Sequence, residues 1–203
     1  MIMVGVRIIG DCSEDEMVAC YLLGELTSAR FGAGLRRALA AAGRSERLLT
    51  DADLADSADN RARRDLLAAT RGYGESRDVF EDFPDQVRWI RAVLTAGELA
   101  RVRYLEYSYW NELSGGSRLP GDAAERIRAG VRVFGVSNGR FIAAARAVRR
   151  GERFAPLLLA GPRLETLVCL EGHLRLTAHA LAGFPVEVEC LVGTARAMDR
   201  WAR

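Results

Sequence analysis

The chain has 203 residues, about half of them apolar, with 29 basic and 27 acidic residues and a formal charge of +2. That length allows one large domain or two small ones with a real buried core, and the near-balanced charge argues against a dedicated nucleic-acid binder. Every basic residue is an arginine, which excludes a P-loop lysine, a Schiff-base lysine and a lysine general base and leaves anion binding to guanidinium groups and backbone amides.

Val4–Ile9 reads as a first strand. In "SEDEMVACYLLGELTSARFG", Ser13 stands as an N-cap with Glu16 three residues on, ahead of apolar positions at helical spacing. "GLRRALAAAG" is a second short helix, Asp51–Asp59 a polar connection, and "DNRARRDLLAATRGYG" a helix ended by Gly72. "FPDQVRWIRAVLTAGELARV" is expected to open another helix, with Pro84 in its first turn. "RVRYLEYSYW" reads as extended and runs into the loop "NELSGGSRLPGD". A helix over Ala123–Ala129, a short apolar piece at Val131–Val136 and a helix over Ser137–Arg149 follow. The last third alternates strand ("RGERFAPLLLAG"), strand ("ETLVCLEG"), helix ("HLRLTAHALAGF") and strand ("PVEVECLVG"), with a terminal helix at Thr194–Trp201. The pattern predicts an α+β (mixed α/β) fold: residues 1–130 a mostly helical region with one leading strand, residues 131–203 a core.

Cys12, Cys20, Cys169 and Cys190 are scattered without a CxxC pair, and the last two sit in strand-like apolar runs as small hydrophobes. The first ten residues lack the apolar core of a signal peptide, and no apolar run is long enough to span a bilayer. A reduced cytoplasmic setting without a membrane partner is therefore expected.

The site is expected in "VCLEGHLRLTAHAL". A buried strand ends at Leu170, glycine makes the turn, and a helix begins near His173. The first amides of a helix lack internal partners and carry the positive end of its dipole. Gly172 lets a ligand approach the backbone, and Arg175 adds a guanidinium to the same anion. Glu171 is placed to hold a metal ion or to orient an incoming hydroxyl. The same residues also read as an ordinary strand–glycine–helix turn with a solvated arginine. His179 reads as structural.

"LEGHLRLTAHAL" resembles the Gly-x-x-Arg-x-x-Ala signature of the ParB/sulfiredoxin-like superfamily, and the flanking order of helix, strand, signature and strand agrees from residue 137 to 193. The resemblance implies a nucleotide-binding core closest to the ATP- or ADP-dependent kinases of free serine. It implicates Gly172, His173, Arg175 and Thr177 in phosphate contacts and places Glu171 where those kinases have an aspartate. Sulfiredoxins need a cysteine where this chain has His173, and partition proteins continue into a helix-turn-helix domain that does not follow here.

"YLEYSYWNELSGGSRLPGD" is the second constellation. Ser114, Gly115, Gly116, Ser117 and Arg118 offer amides, hydroxyls and a guanidinium suited to wrap an anion. In the superfamily a loop at about this place meets the phosphates from the other side. Glu106 and Glu112 lie within reach of it, Glu112 and His173 standing with Glu171 and Glu25 as candidate catalytic groups, and Tyr107, Tyr109 and Trp110 can stack on a base. A surface turn over packed aromatics is the alternative. Glu25, with Ser28 and Arg30, is a third candidate, as a general base or as solvated helix surface. The expected activity is a nucleotide-dependent phosphotransferase using ATP or ADP, or CTP, with Mg²⁺ at Glu171. Its acceptor is a small hydroxylated or amino-acid-like molecule, and a homodimer is possible. A nucleotide-binding regulatory or partner-binding module is the alternative, with a DNA-associated role third.

Overall fold

The computed structural model describes residues 6–199, and the chain divides into two compact units: residues 11–89, and residues 90–203 together with residues 1–10. The expected core, residues 131–203, falls in the second of these together with residues 90–130. The first strand, β1, is Arg7–Asp11; Val4 of the expected strand lies outside the described residues.

In residues 11–89 the Ser13 hydroxyl accepts the Glu16 amide at 3.1 Å and starts α1 (Glu14–Leu26), whose acidic first turn suits the helix dipole. Met17, Val18, Tyr21, Leu22 and Leu26 form its buried face. α1 packs on α2 (Gly32–Ala41), α3 (Arg47–Thr50) and α4 (Ser57–Arg71). The Asp56 carboxylate caps α4 by accepting the amides of Ala58 and Asp59, and Gly72 ends it at φ +77°, a left-handed turn suited to glycine. On α4, Arg63 is almost wholly buried. Its guanidinium donates to the carbonyls of Leu48 (3.0 Å) and Asp53 (2.8 Å) and to the Asn60 side chain, tying α3 and the following loop to α4. Phe80 carries an aromatic chain between Tyr21 and Tyr73 and on to Phe83 and Trp89.

The second unit is built on a sheet of order β1-β2-β6-β4-β5-β3 among the described residues. Its remaining elements, in chain order, are β2 (Arg88–Leu94), α5 (Ala96–Leu99), β3 (Arg103–Tyr104), α6 (Ser108–Leu113), α7 (Pro120–Arg128), α8 (Gly139–Arg149), β4 (Leu157–Arg163), β5 (Thr166–Glu171), α9 (His173–Ala182) and β6 (Val188–Thr194). A short 3₁₀ turn at Arg196–Asp199 stands within the expected terminal helix, whose end lies outside the described residues. The fold is α+β.

β4 is central, parallel to β6 and antiparallel to β5, and Leu157–Ala160 are fully buried, as a strand covered on both faces requires. Gly161 is required in β4, because a Cβ there would stand 1.9 Å from the Thr166 carbonyl oxygen. α9 packs against α8 and α7. Its last carbonyls receive guanidinium donors from both: Arg128 on Ala180 and Leu181, and Arg149 on Leu181. Among the described residues no helix is long and apolar enough to cross a membrane.

Two expected elements differ. The helix expected from Pro84 is instead β2 followed by the single turn α5. Ile90, Ala92 and Leu94 alternate into the core while Arg91 points outward to Glu189 on β6 at 2.8 Å, a period of two that overrides helix propensity. Thr95 and Glu98 form the capping box that starts α5. The extended reading of "RVRYLEYSYW" holds only for the two residues of β3, and Tyr109 and Trp110 are helical on α6.

Arg63→Leu keeps much of the buried volume and leaves the carbonyls of Leu48 and Asp53 without their donor. Stability falls by about 3 kcal/mol, at about 1–3 kcal/mol for each orphaned buried group. The measurement is urea unfolding followed by far-UV circular dichroism, and an unchanged midpoint contradicts the prediction.

Candidate functional site

β5 delivers Glu171 at its end, and the chain then turns through Gly172 at φ +103°, ψ 19°. A Cβ at Gly172 would stand 2.6 Å from Leu157 Cδ2, 2.9 Å from Arg175 Nη2 and 3.1 Å from Arg175 Nε. The glycine is thus demanded twice, by its backbone angle and by the groups that close over it. The space that the sequence suggests for a ligand above Gly172 is taken by the chain's own Leu157 and Arg175.

α9 begins without a side-chain cap, and its first helical bond runs from the Leu176 amide to the Gly172 carbonyl at 2.8 Å. The preceding amides of the turn have no intrahelical acceptor, which makes this end a seat for negative charge. Glu171, the residue before the turn, is the nearest carboxylate in the chain. Its carboxylate pairs with Arg175 four residues on, with the two side chains 18% and 13% exposed. Arg175 Nε is buried and has no hydrogen-bond partner, so the guanidinium keeps one donor unmatched.

His173 lies on the other side of the helix start. Its ring stacks on Trp110 (4.9 Å between centroids, 19° between planes) and on Tyr104 (5.9 Å, 20°), and those two stack on each other at 4.7 Å. Burial, and then the positive charge of Arg175, lower the imidazole pKa to about 3. Nε2 is buried without a partner. At neutral pH His173 is therefore an uncharged member of an aromatic stack, with no imidazolium charge to offer an anion.

Thr177 is fully buried and donates to the His173 carbonyl at 2.7 Å; its single proton being used there, the Tyr104 hydroxyl donates to Thr177 Oγ1 at 2.7 Å. Burial raises the Tyr104 phenol well above its usual range. These bonds fix the stack against α9 and engage the Thr177 hydroxyl within the protein.

The Ser114–Arg118 loop reaches the same neighbourhood through Tyr104 and Trp110. Ser114 Oγ donates to the Trp110 carbonyl at 2.7 Å and accepts the Arg118 amide at 2.9 Å. Ser117 Oγ donates to the Ser114 carbonyl and accepts the Leu119 amide, both at 3.1 Å. Both hydroxyls thus serve the loop itself. Gly115 and Gly116 are exposed, at φ +66° and +92°. Arg118 is buried at φ +62° and exchanges bonds with Tyr104: its Nε donates to the Tyr104 carbonyl at 2.9 Å, and its own carbonyl accepts the Tyr104 amide at 2.8 Å. Burial lowers the Arg118 pKa, and Glu106 opposes the shift.

Glu112 is exposed on α6, and Tyr107 is exposed before it. Glu25 belongs to the unit of residues 11–89, where it is buried and paired with Arg71, whose guanidinium lies 3.5 Å over the Phe31 ring. Burial raises its pKa and the Arg71 bond pulls it back, so the carboxylate has a structural partner. His179 is buried edge-on to Phe154 at 6.5 Å, as a packing residue would be. Cys169 is wholly buried with its thiol pKa raised well above the usual value by desolvation, which makes it no nucleophile.

Tyr104 is the residue that the sequence reading passed over. Its signal was present: Val102 and Tyr104 alternate with arginines, as an edge strand beside β5 requires. Among the described residues no group of three or more His, Cys, Asp or Glu is arranged to hold a metal ion. Glu171 alone has the carboxylate chemistry of a Mg²⁺ ligand at the turn, and Mg²⁺ commonly takes one or two protein carboxylates with substrate phosphates and water.

Two outcomes follow from this geometry. Gly172→Ala forces a side chain into an occupied space at a left-handed angle and destabilises the protein by about 2–3 kcal/mol in thermal or urea unfolding. A loss below about 0.5 kcal/mol contradicts the packed turn. His173 stays neutral in the fold while an unfolded histidine protonates near pH 6.5. The unfolded state thus binds the extra proton between about pH 6.5 and 3, and stability, complete above pH 6.5, falls as the pH drops through that window. The ceiling for this residue is about 1.4 kcal/mol per pH unit. His173→Phe keeps the stack and flattens that slope, read by urea unfolding at pH 7 and pH 5; equal slopes in both proteins refute the assignment. No family model matches the chain, and no curated protein or solved structure matches it.

Proposed function

We propose that the chain binds the phosphates of a nucleotide at the Glu171–Arg175 turn and transfers a phosphoryl group to a small hydroxylated or amino-acid-like acceptor in the cytoplasm. The observation that carries this reading is the uncapped start of α9 beside Arg175, whose buried Nε has no acceptor. Together these are donors in want of acceptor oxygens, and phosphate supplies such oxygens in a planar, bidentate match to guanidinium. The resemblance of "LEGHLRLTAHAL" to the ParB/sulfiredoxin-like superfamily points the same way.

Phosphoryl transfer asks chiefly for positioning and charge neutralisation. In this chain the amides that open α9 and the Arg175 guanidinium hold the phosphate oxygens, with Arg118 approaching from the loop. Glu171 holds Mg²⁺ or orients the acceptor hydroxyl. Mg²⁺, when bound, neutralises charge that develops on the phosphates. ATP or ADP is the expected nucleotide and CTP a third candidate. Trp110 and His173 form a rigid floor beside the turn, and the neutral imidazole adds no second positive charge to compete with Arg175.

One observation favours a second reading, a nucleotide-binding module without turnover. Glu171 is committed to Arg175, and the imidazole of His173 is enclosed by aromatic rings, so acid–base chemistry at the turn requires the ion pair to open.

Isothermal titration with ATP, ADP and CTP in the presence of Mg²⁺ tests both. Binding of one of them is expected, weakened by about tenfold or more in Arg175→Ala, as the loss of a charge-assisted contact implies. Binding of none sinks the proposal. Binding with no phosphate release and no transfer to a pool of hydroxylated amino acids selects the second reading.

A further inference from the structure

The described sheet ends at β3 on one side and at β1 on the other, and the two edges are finished differently. β3 has two residues, and the Arg118 carbonyl takes the Tyr104 amide, so the loop closes that edge. β1 has five residues, "RIIGD", none of them buried. Ile8 is 52% exposed and Ile9 47%, and successive strand residues point to opposite faces, so both faces of this edge carry bare apolar surface. A strand of this kind, without proline, is a template for pairing with another strand.

We propose that β1 pairs antiparallel with β1 of a second copy of this chain, forming a two-fold dimer with a sheet continuous across it. The strand is complementary to itself in that register alone. With Ile9 on the two-fold axis, Arg7 of each copy stands opposite Asp11 of the other, giving two opposed charge pairs. Ile8 of each copy stands opposite Gly10 of the other, where the position of a Cβ meets no atom within 4 Å and leaves room for the larger side chain. Ile9 meets Ile9. A parallel pairing in register instead sets Arg7 against Arg7 and Asp11 against Asp11. Arg7 already bonds Glu187 at 2.6 Å, but both side chains are more than half exposed, so that bond contributes little, and a guanidinium has donors for two carboxylates.

The full-length chain is run by sedimentation velocity over a concentration series in the micromolar range, with circular dichroism melting as the folding control. A concentration-dependent dimer is expected. Arg7→Glu or Asp11→Arg alone sets like charges against each other and weakens the dimer by about tenfold or more. The double variant Arg7→Glu/Asp11→Arg restores complementarity and recovers the dimer, a result that a merely misfolded single variant cannot give. Ile9→Asp, which leaves both charge pairs in place, also dissociates it, and Glu187→Gln leaves it unchanged. A wild-type chain that is monomeric throughout overturns the proposal, as does a dimer indifferent to the single reversals and to Ile9→Asp.

Discussion

The left-handed turn at Gly172 fixes where everything around it can lie. With no Cβ at this position, Leu157 and the Arg175 guanidinium close over the backbone, and α9 leaves the end of β5 at the angle this permits. Arg175 is thereby brought back over the strand end to meet Glu171. Thr177, one turn further, faces the stack of Tyr104, Trp110 and His173. At the far end of α9 the arginines of α7 and α8 take its last carbonyls, so the helix is held electrostatically at its C-terminal end. The dipole's negative end meets guanidinium groups, while its positive end carries no side-chain cap.

A chain whose only cationic side chain is arginine uses that group for internal architecture as well as for charge. Arg63 gathers the carbonyls of a loop, Arg118 binds the Tyr104 carbonyl, and Arg128 and Arg149 finish α9. The planar fork with several donors suits this work, where a lysine's single ammonium would not reach two carbonyls at fixed angles. Arg71 and Arg175 instead face largely buried carboxylates, Glu25 and Glu171. A buried Nε without an acceptor is common to Arg63, Arg126 and Arg175.

The last third of the chain was legible because its signals agree with one another. Leu157–Ala160 is apolar without interruption, Val168–Leu170 likewise, and glycine stands at the turns before and after α9. Residues 84–99 were misread because a proline and a run of helix formers outweighed the alternation of Ile90, Ala92 and Leu94, and alternation is decided by which neighbour covers a face. The Glu171–Arg175 cluster was legible as a turn with an arginine on it. That Leu157 fills the space over Gly172 was not, because β4 reaches Gly172 only through sheet pairing. His173 shows the same limit. Its place at a helix start suggested an anion ligand, and its neutrality comes first from burial, to which Trp110 and Tyr104, distant in sequence, contribute, and then from the charge of Arg175.

The ion pair at the turn also bears on what kind of anion the site accepts under the proposed reading. A bare phosphate approaching α9 meets an arginine whose charge is already balanced and a carboxylate that repels it. Breaking a largely desolvated pair by capturing only one partner leaves the other charge uncompensated, which costs several kcal/mol. A phosphate that arrives with a divalent cation offers each partner a replacement: oxygens for Arg175 and a cation for Glu171. Under the proposed function this would favour a metal–phosphate complex over the free anion. Without a ligand, Glu171 holds Arg175 in register over the end of β5.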